Sequence, residues 1–137
     1  MACVFCATGK LGFTRNLSGH EIVEQVMIAR RTLASEGKVL RNIVFMGMGE
    51  PMLNWPGMEI ALGVMTDQKK INISSRRITV STCGIVPAIR KMAEKFPQVS
   101  LAISLHAPND EARAKIMPVN MRYPIKELMS SIDDYVK

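Results

Sequence analysis

The opening stretch, Met1-Ala2-Cys3-Val4-Phe5-Cys6-Ala7-Thr8-Gly9, carries two of the chain's three cysteines as C-x-x-C, with an aromatic residue directly before the second thiol. Two soft ligands in one short, glycine-bounded loop can hold a metal ion or an iron–sulfur cluster, or can act as a redox pair. Two ligands complete none of these sites. The remainder comes either from elsewhere in the fold or from a longer version of the same motif, and the second is expected.

Other candidate residues fall at the ends of short apolar runs. Asn42–Met46 leads into Gly47-Met48-Gly49-Glu50-Pro51, Arg77–Ser81 closes in Ser81-Thr82-Cys83-Gly84, and Val99–Ser104 runs into Leu105-His106-Ala107-Pro108. Glu50, flanked by glycine and proline, suits a ligand ammonium group, and Gly47 and Gly49 let a ligand approach the backbone. An exposed turn glutamate would look the same. Ser81 and Ser104 can donate to a carboxylate or ribose, or satisfy nearby backbone groups. His106 suits a ligand contact or a general base as well as a structural role. Cys83, with no thiol beside it, reads better as a small buried apolar residue than as a third ligand. His20, in the first turn of a helix, reads as a polar side chain facing solvent.

The elements that must position these loops alternate. Ser18-Gly19-His20-Glu21 is a capping box opening a helix over about 19–36, stopped by Gly37. Helices over about 57–66, 86–94 and from Asn109 or Asp110 to 116 follow the three strands in turn. A last amphipathic helix is entered through Pro124. Strand–helix alternation implies right-handed crossovers and a parallel sheet with outer helices, with function at the C-terminal ends of the strands. All three loops would then open on one rim. Residues 10–15 read as irregular.

Composition sets the bounds. The 137 residues are 47% hydrophobic and 22% charged, which is globular and allows one modest core. No apolar run approaches the roughly 20 residues of a membrane span, and no signal-peptide pattern opens the chain. An odd number of cysteines is a poor disulfide framework, so a reducing cytoplasm is expected. The net charge of +6 gathers in pairs, Arg30-Arg31, Lys69-Lys70, Arg76-Arg77 and Arg90-Lys91, which suits a phosphate backbone or a solvated surface. Of eleven methionines, Met27, Met46, Met48, Met65, Met92 and Met129 fall in apolar patterns and are expected to fill the core.

Four segments in order, Cys3–Gly9, Gly12-Phe13-Thr14-Arg15-Asn16-Leu17, Gly47–Pro51 and Ser104–Glu111, closely resemble the RlmN/Cfr group of radical S-adenosylmethionine (SAM) RNA methyltransferases. The resemblance runs the whole length of the chain. It implies an α/β fold, a partial (β/α) radical SAM barrel of three parallel strands with outer helices. It implies methylation of an adenine carbon, C-2 by preference, in 23S rRNA and tRNA, with a [4Fe–4S] cluster and S-adenosyl-L-methionine as cofactors. Cys3 and Cys6 match the second and third cysteines of C-x-x-x-C-x-x-C. Gly49 and Glu50 match the segment that binds the SAM amino group, and Ser81, Ser104, Leu105 and His106 match further SAM contacts. The partners implied are RNA and a reductant such as flavodoxin, with no membrane.

The first cluster cysteine, the first strand, an N-terminal accessory domain, the last strands and the methyl-carrying cysteine have no counterpart in residues 1–137, so the chain is expected to be a central fragment of the barrel domain. Such a piece leaves two edges and one sheet face uncovered and is expected to be marginally stable and inactive alone. The alternative is a zinc or dithiol module built on Cys3 and Cys6. It lacks recognisable zinc spacing to Cys83, His20 or His106, and it lacks the strand-to-helix setting of a redox C-x-x-C.

Overall fold

A computed structural model describes residues 3–136; Met1, Ala2 and Lys137 lie outside the described residues, and with them the first two positions of the cysteine stretch. The first helix, α1 (Gly19–Ser35), starts where its capping box dictates. Ser18 Oγ accepts from the Glu21 amide at 3.3 Å, and the Glu21 carboxylate accepts the Ser18 amide at 2.8 Å. Arg15 then grips the same carboxylate with both guanidinium nitrogens, at 2.8 and 2.6 Å, fixing the preceding loop to the helix end. That grip, with the Ser18 amide, holds the Glu21 pKa down at about 2. Gly37 ends the helix with φ +70°, its amide donating to Ala34 O and that of Lys38 to Leu33 O.

Strand β1 (Ile43–Phe45), helix α2 (Trp55–Thr66), strand β2 (Ile78–Thr82), helix α3 (Val86–Lys95), strand β3 (Ser100–Ile103), helix α4 (Asp110–Ile116) and helix α5 (Ile125–Val136) complete the alternation. Helix α2 begins two residues before the expected start, because Pro56 sits comfortably in a first turn. A 3-10 turn over Pro51–Asn54 feeds it directly from the β1 loop, and Thr8–Leu11 forms another where irregular chain was expected. Asn109 caps α4, its Oδ1 accepting the Ala112 amide at 2.8 Å.

The three strands are parallel in the order β1-β2-β3. Ile43, Val44 and Phe45 stand opposite Ile78, Thr79 and Val80, while Thr79 to Thr82 stand opposite Ser100 to Ile103. The fold is therefore a three-stranded parallel α/β sheet with outer helices, the arrangement the resemblance implied. Side chains alternate across a strand. Ile78, Val80 and Thr82 are buried against the helices with Leu62, Met65, Ile89, Met92 and Leu128, whereas Thr79 and Ser81 face a less covered side. Each buried aliphatic side chain contributes about 1.5–3 kcal/mol by leaving water. Val44, in register with Thr79, is 58% exposed, so the inner sheet face is open and lined largely by hydroxyls.

Some expectations about the methionines fail here. Met65 and Met92 are buried, but Met46, Met48 and Met129 are 55%, 80% and 45% exposed. Met46 and Met48 follow β1, where none of the described helices covers them. Among the described residues, no helix is long and apolar enough to cross a membrane.

Candidate functional site

Glu50 ties two strand ends together. It caps the 3-10 turn that follows β1, with Oε1 accepting the Met52 amide at 3.0 Å, while Oε2 accepts the Cys83 amide beyond β2 at 2.7 Å. The Cys83 side chain also hydrogen-bonds the carboxylate, and burial followed by that negative charge pushes its thiol far above the ordinary range. Cys83 is buried, as its strand-end position implied. Gly49, at φ +87°, gives the backbone the left-handed turn that swings Glu50 back toward β2.

The loop beyond β2 is shaped by Thr82, whose Oγ1 accepts the Gly84 amide at 3.0 Å and starts the turn into α3. Gly84 has φ +104°, and a Cβ there would meet Leu128 at 3.1 Å, so both conformation and packing require glycine. The Ser104 amide donates to Thr82 O at 2.9 Å, carrying the β2–β3 ladder one residue past β3. Ser81 Oγ and Ser104 Oγ then lie 3.5 Å apart on the open face.

The cysteine loop docks on the same end of the sheet. The Val4 amide donates to Ile116 O at the end of α4 (3.1 Å), and the Cys6 amide donates to Cys3 O at 3.1 Å, making a tight turn. The Phe5 ring packs on the His106 ring, centroids 4.5 Å apart and planes tilted by 49°. His106 is held at φ +60°, an uncommon conformation for a non-glycine residue. Cys3 and Cys6 are half-buried, and no disulfide joins the three thiols. Burial, then the neighbouring Cys6, raises the Cys3 pKa; Arg113 opposes the rise and Glu50 adds to it. Cys3 thus shares its surroundings with the β1 and β2 loops.

Sequence reasoning missed the residue that joins these loops. Arg113, on α4, is completely buried. Its Nη2 donates to Cys83 O at 2.6 Å, its Nε to Leu105 O at 3.1 Å and its Nη1 to Asn120 Oδ1 at 2.7 Å. Asn120 in turn donates to the Asp110 carboxylate at 2.8 Å, which also accepts the Ile125 amide at 2.8 Å. That amide, before Asn120, holds the Asp110 pKa low, and desolvation pulls the Arg113 pKa down. The signal lay in the helix pattern: Ile116 and Met117 occupy the positions three and four residues after Arg113, so the cation interrupts an inward apolar stripe.

Among the expected site residues, Glu50 meets Cys83, Ser81 meets Ser104, and His106 meets the cysteine loop through Phe5. Leu105 contributes its carbonyl to Arg113. Gly47 is exposed with open space around its Cα, and His20 is exposed on α1. Among the described residues, no three His, Cys, Asp or Glu side chains gather as a site for a single metal ion.

A family model described as the Radical SAM superfamily matches residues 1–137. The "Dual-specificity RNA methyltransferase RlmN" of Vesicomyosocius okutanii subsp. Calyptogena okutanii (strain HA) is 48% identical over 136 residues, covering 99% of this chain and 38% of that protein. The protein of the same description from Buchnera aphidicola subsp. Schizaphis graminum (strain Sg) is 49% identical over 139 residues, covering 100% of this chain and 38% of its own length. A crystal structure of a radical SAM methyltransferase from Sphaerobacter thermophilus superposes with a TM-score of 0.94 at 48% identity, covering 98% of this chain and 40% of that one. The chain therefore spans well under half the length of the relatives it matches. With the superfamily model matched from end to end and the fold shared with a solved member, the chain belongs to the radical SAM superfamily.

Proposed function

We propose that residues 1–137 form the central, cofactor-binding part of a radical SAM barrel in an RNA methyltransferase of the RlmN kind. The reaction in this reading is methylation of adenine, at C-2, in 23S rRNA and tRNA, in the cytoplasm and with flavodoxin or a similar reductant. Family membership implies SAM and an iron–sulfur cluster, and the chain's residues fit both. Cys3 and Cys6 bring two thiols into one tight turn, close enough for Cys6 to raise the Cys3 pKa. Cysteine thiolates are the ligands such clusters take. Cys83, far along the chain from Cys3 and buried in the turn after β2, falls outside the spacing of a C-x-x-x-C-x-x-C set.

The observation that carries the reading is the double anchoring of Glu50. With both oxygens fixed by amides from two strand ends, its carboxylate is pre-oriented and keeps lone-pair capacity for an ammonium group. In this assignment Gly49 allows close backbone approach, Ser81 and Ser104 offer hydroxyls to the carboxylate or ribose, and Leu105 and His106 border the nucleoside. When bound, the cluster and SAM supply the radical chemistry that methylating an unactivated aromatic carbon requires.

Anaerobic incubation with iron, sulfide and a small thiol tests this. The chain is expected to turn brown and hold about four irons. Cys3→Ser or Cys6→Ser should each remove most of the iron, and Cys83→Ser should leave it largely unchanged. A colourless protein with one tightly held zinc, or equal loss in the Cys83 variant, would instead favour the zinc or dithiol module.

A further inference from the structure

A cavity lies at the opposite end of the sheet from the cysteine loop. It has a volume of about 370 Å³ and sits between the second half of α1, the α1–β1 connection and the approach to β2. Its floor is apolar, from Leu40, Ile71 and Ile73 among others, and its rim carries Arg30, Lys38 and Arg77 with no acidic side chain in the lining. Arg30 is steadied by donating one N–H to Ile71 O at 3.1 Å, which leaves the rest of its donor fork for a ligand. Lys38 pairs with Glu36 at 2.7 Å, but both side chains are at least half exposed, so the pair is weak and exchangeable. Asn72, in the left-handed conformation at φ 58°, and Ser74 add amide and hydroxyl groups at the lip.

Further positive charge is concentrated here. Arg41 lies two residues before β1, Arg76 directly precedes Arg77, and Lys69-Lys70 lies in the same α2–β2 connection. Glu36 and Asp67 pair only Lys38 and Lys70, so cations outnumber anions around this aliphatic floor, which fits a base packed on Leu40, Ile71 and Ile73 with its phosphates neutralised at the rim. A cavity of about 370 Å³ falls in the size range of small-ligand sites.

We infer that this pocket is a second RNA contact, holding one unstacked nucleotide and its adjacent phosphates away from the modified base. Strand β2 is five residues long, so the pocket lies about 16 Å or more from the cofactor end, and RNA reaching it must wrap the flank of the barrel. The inference rests on the RNA-substrate reading and deepens it.

The test is binding of a short single-stranded RNA of mixed sequence to the 137-residue chain, measured across a salt series. The Arg30→Ala/Lys38→Ala/Arg77→Ala variant should bind roughly ten- to a hundredfold more weakly at about 0.1 M salt, with a salt slope shallower by about two. All three side chains are exposed, so the fold should persist, and circular dichroism checks it. The control variant Lys91→Ala/Arg122→Ala/Lys126→Ala, outside the pocket, should lose much less. Wild-type binding left intact in the pocket variant, or lost equally in the control, overturns the pocket and leaves the RNA reading standing. If the wild-type chain binds no RNA, the pocket assignment is overturned, while the substrate reading, which concerns the longer protein, is decided by methyl transfer to RNA. If AMP binds the pocket as tightly as the oligonucleotide, the ligand is a free nucleotide and the RNA assignment is overturned.

Discussion

Replacing Arg113 with methionine is expected to lower stability by about 3 kcal/mol, seen as a fall of roughly 10 °C in melting temperature. The side chain is completely buried, and its three acceptors come from the β2 loop, the β3 loop and the link between α4 and α5. Methionine fills similar space but donates nothing, so Cys83 O, Leu105 O and Asn120 Oδ1 would lose their partner. A buried polar group left unsatisfied costs about 1–3 kcal/mol, and relief from burying a cation returns part of the sum. Lysine keeps the charge without the planar fork and should recover only a fraction of the loss. The exposed neighbour Lys115→Met, whose ion pair with Glu111 is a surface i,i+4 contact, should stay within about 0.5 kcal/mol of wild type. A thermal melt in which Arg113→Met matches Lys115→Met would show that the two strand-end loops do not depend on this clamp.

The second large effect is expected at Glu50. In cluster-loaded protein, Glu50→Gln should weaken SAM binding by about 10- to 100-fold, the scale of one charge-assisted hydrogen bond lost in a partly buried site. Glutamine keeps the length of the side chain, but its amide would direct N–H groups at the Met52 or Cys83 amide, which are themselves donors. A moderate loss of stability should therefore accompany the loss of affinity. Glu50→Asp separates the two effects: the charge stays while the reach to two strand ends shortens. Calorimetry giving the same SAM affinity for wild type and Glu50→Gln would remove Glu50 from the site.

The elements were legible because their signals are local. Ser18 and Glu21 announce the start of α1 within four residues, and Gly37 announces its end. The three apolar runs fix a parallel sheet once helices are seen between them, and each strand end points to its loop. The choice between Asn109 and Asp110 as cap was not local. Asn109 caps α4 because the Asp110 carboxylate is engaged by Asn120 and by the start of α5, fifteen residues away. Arg113 was invisible for a similar reason: a basic residue in a short helix reads as surface, and only three distant carbonyl-type acceptors make its burial tolerable. Met46 and Met48 erred the other way. Their apolar character implied a core, but no described element covers the inner sheet face beside β1.

The central claim is that the cysteine loop and the three strand-end loops form one SAM site. Hydrogen–deuterium exchange on the cluster-loaded chain, with and without SAM, tests it most directly. SAM should slow exchange in residues 47–52, 81–85 and 104–107 together, while residues 71–74 on the far rim stay unchanged. SAM that binds measurably yet protects only the far rim, or only one of the three loops, would contradict the shared site.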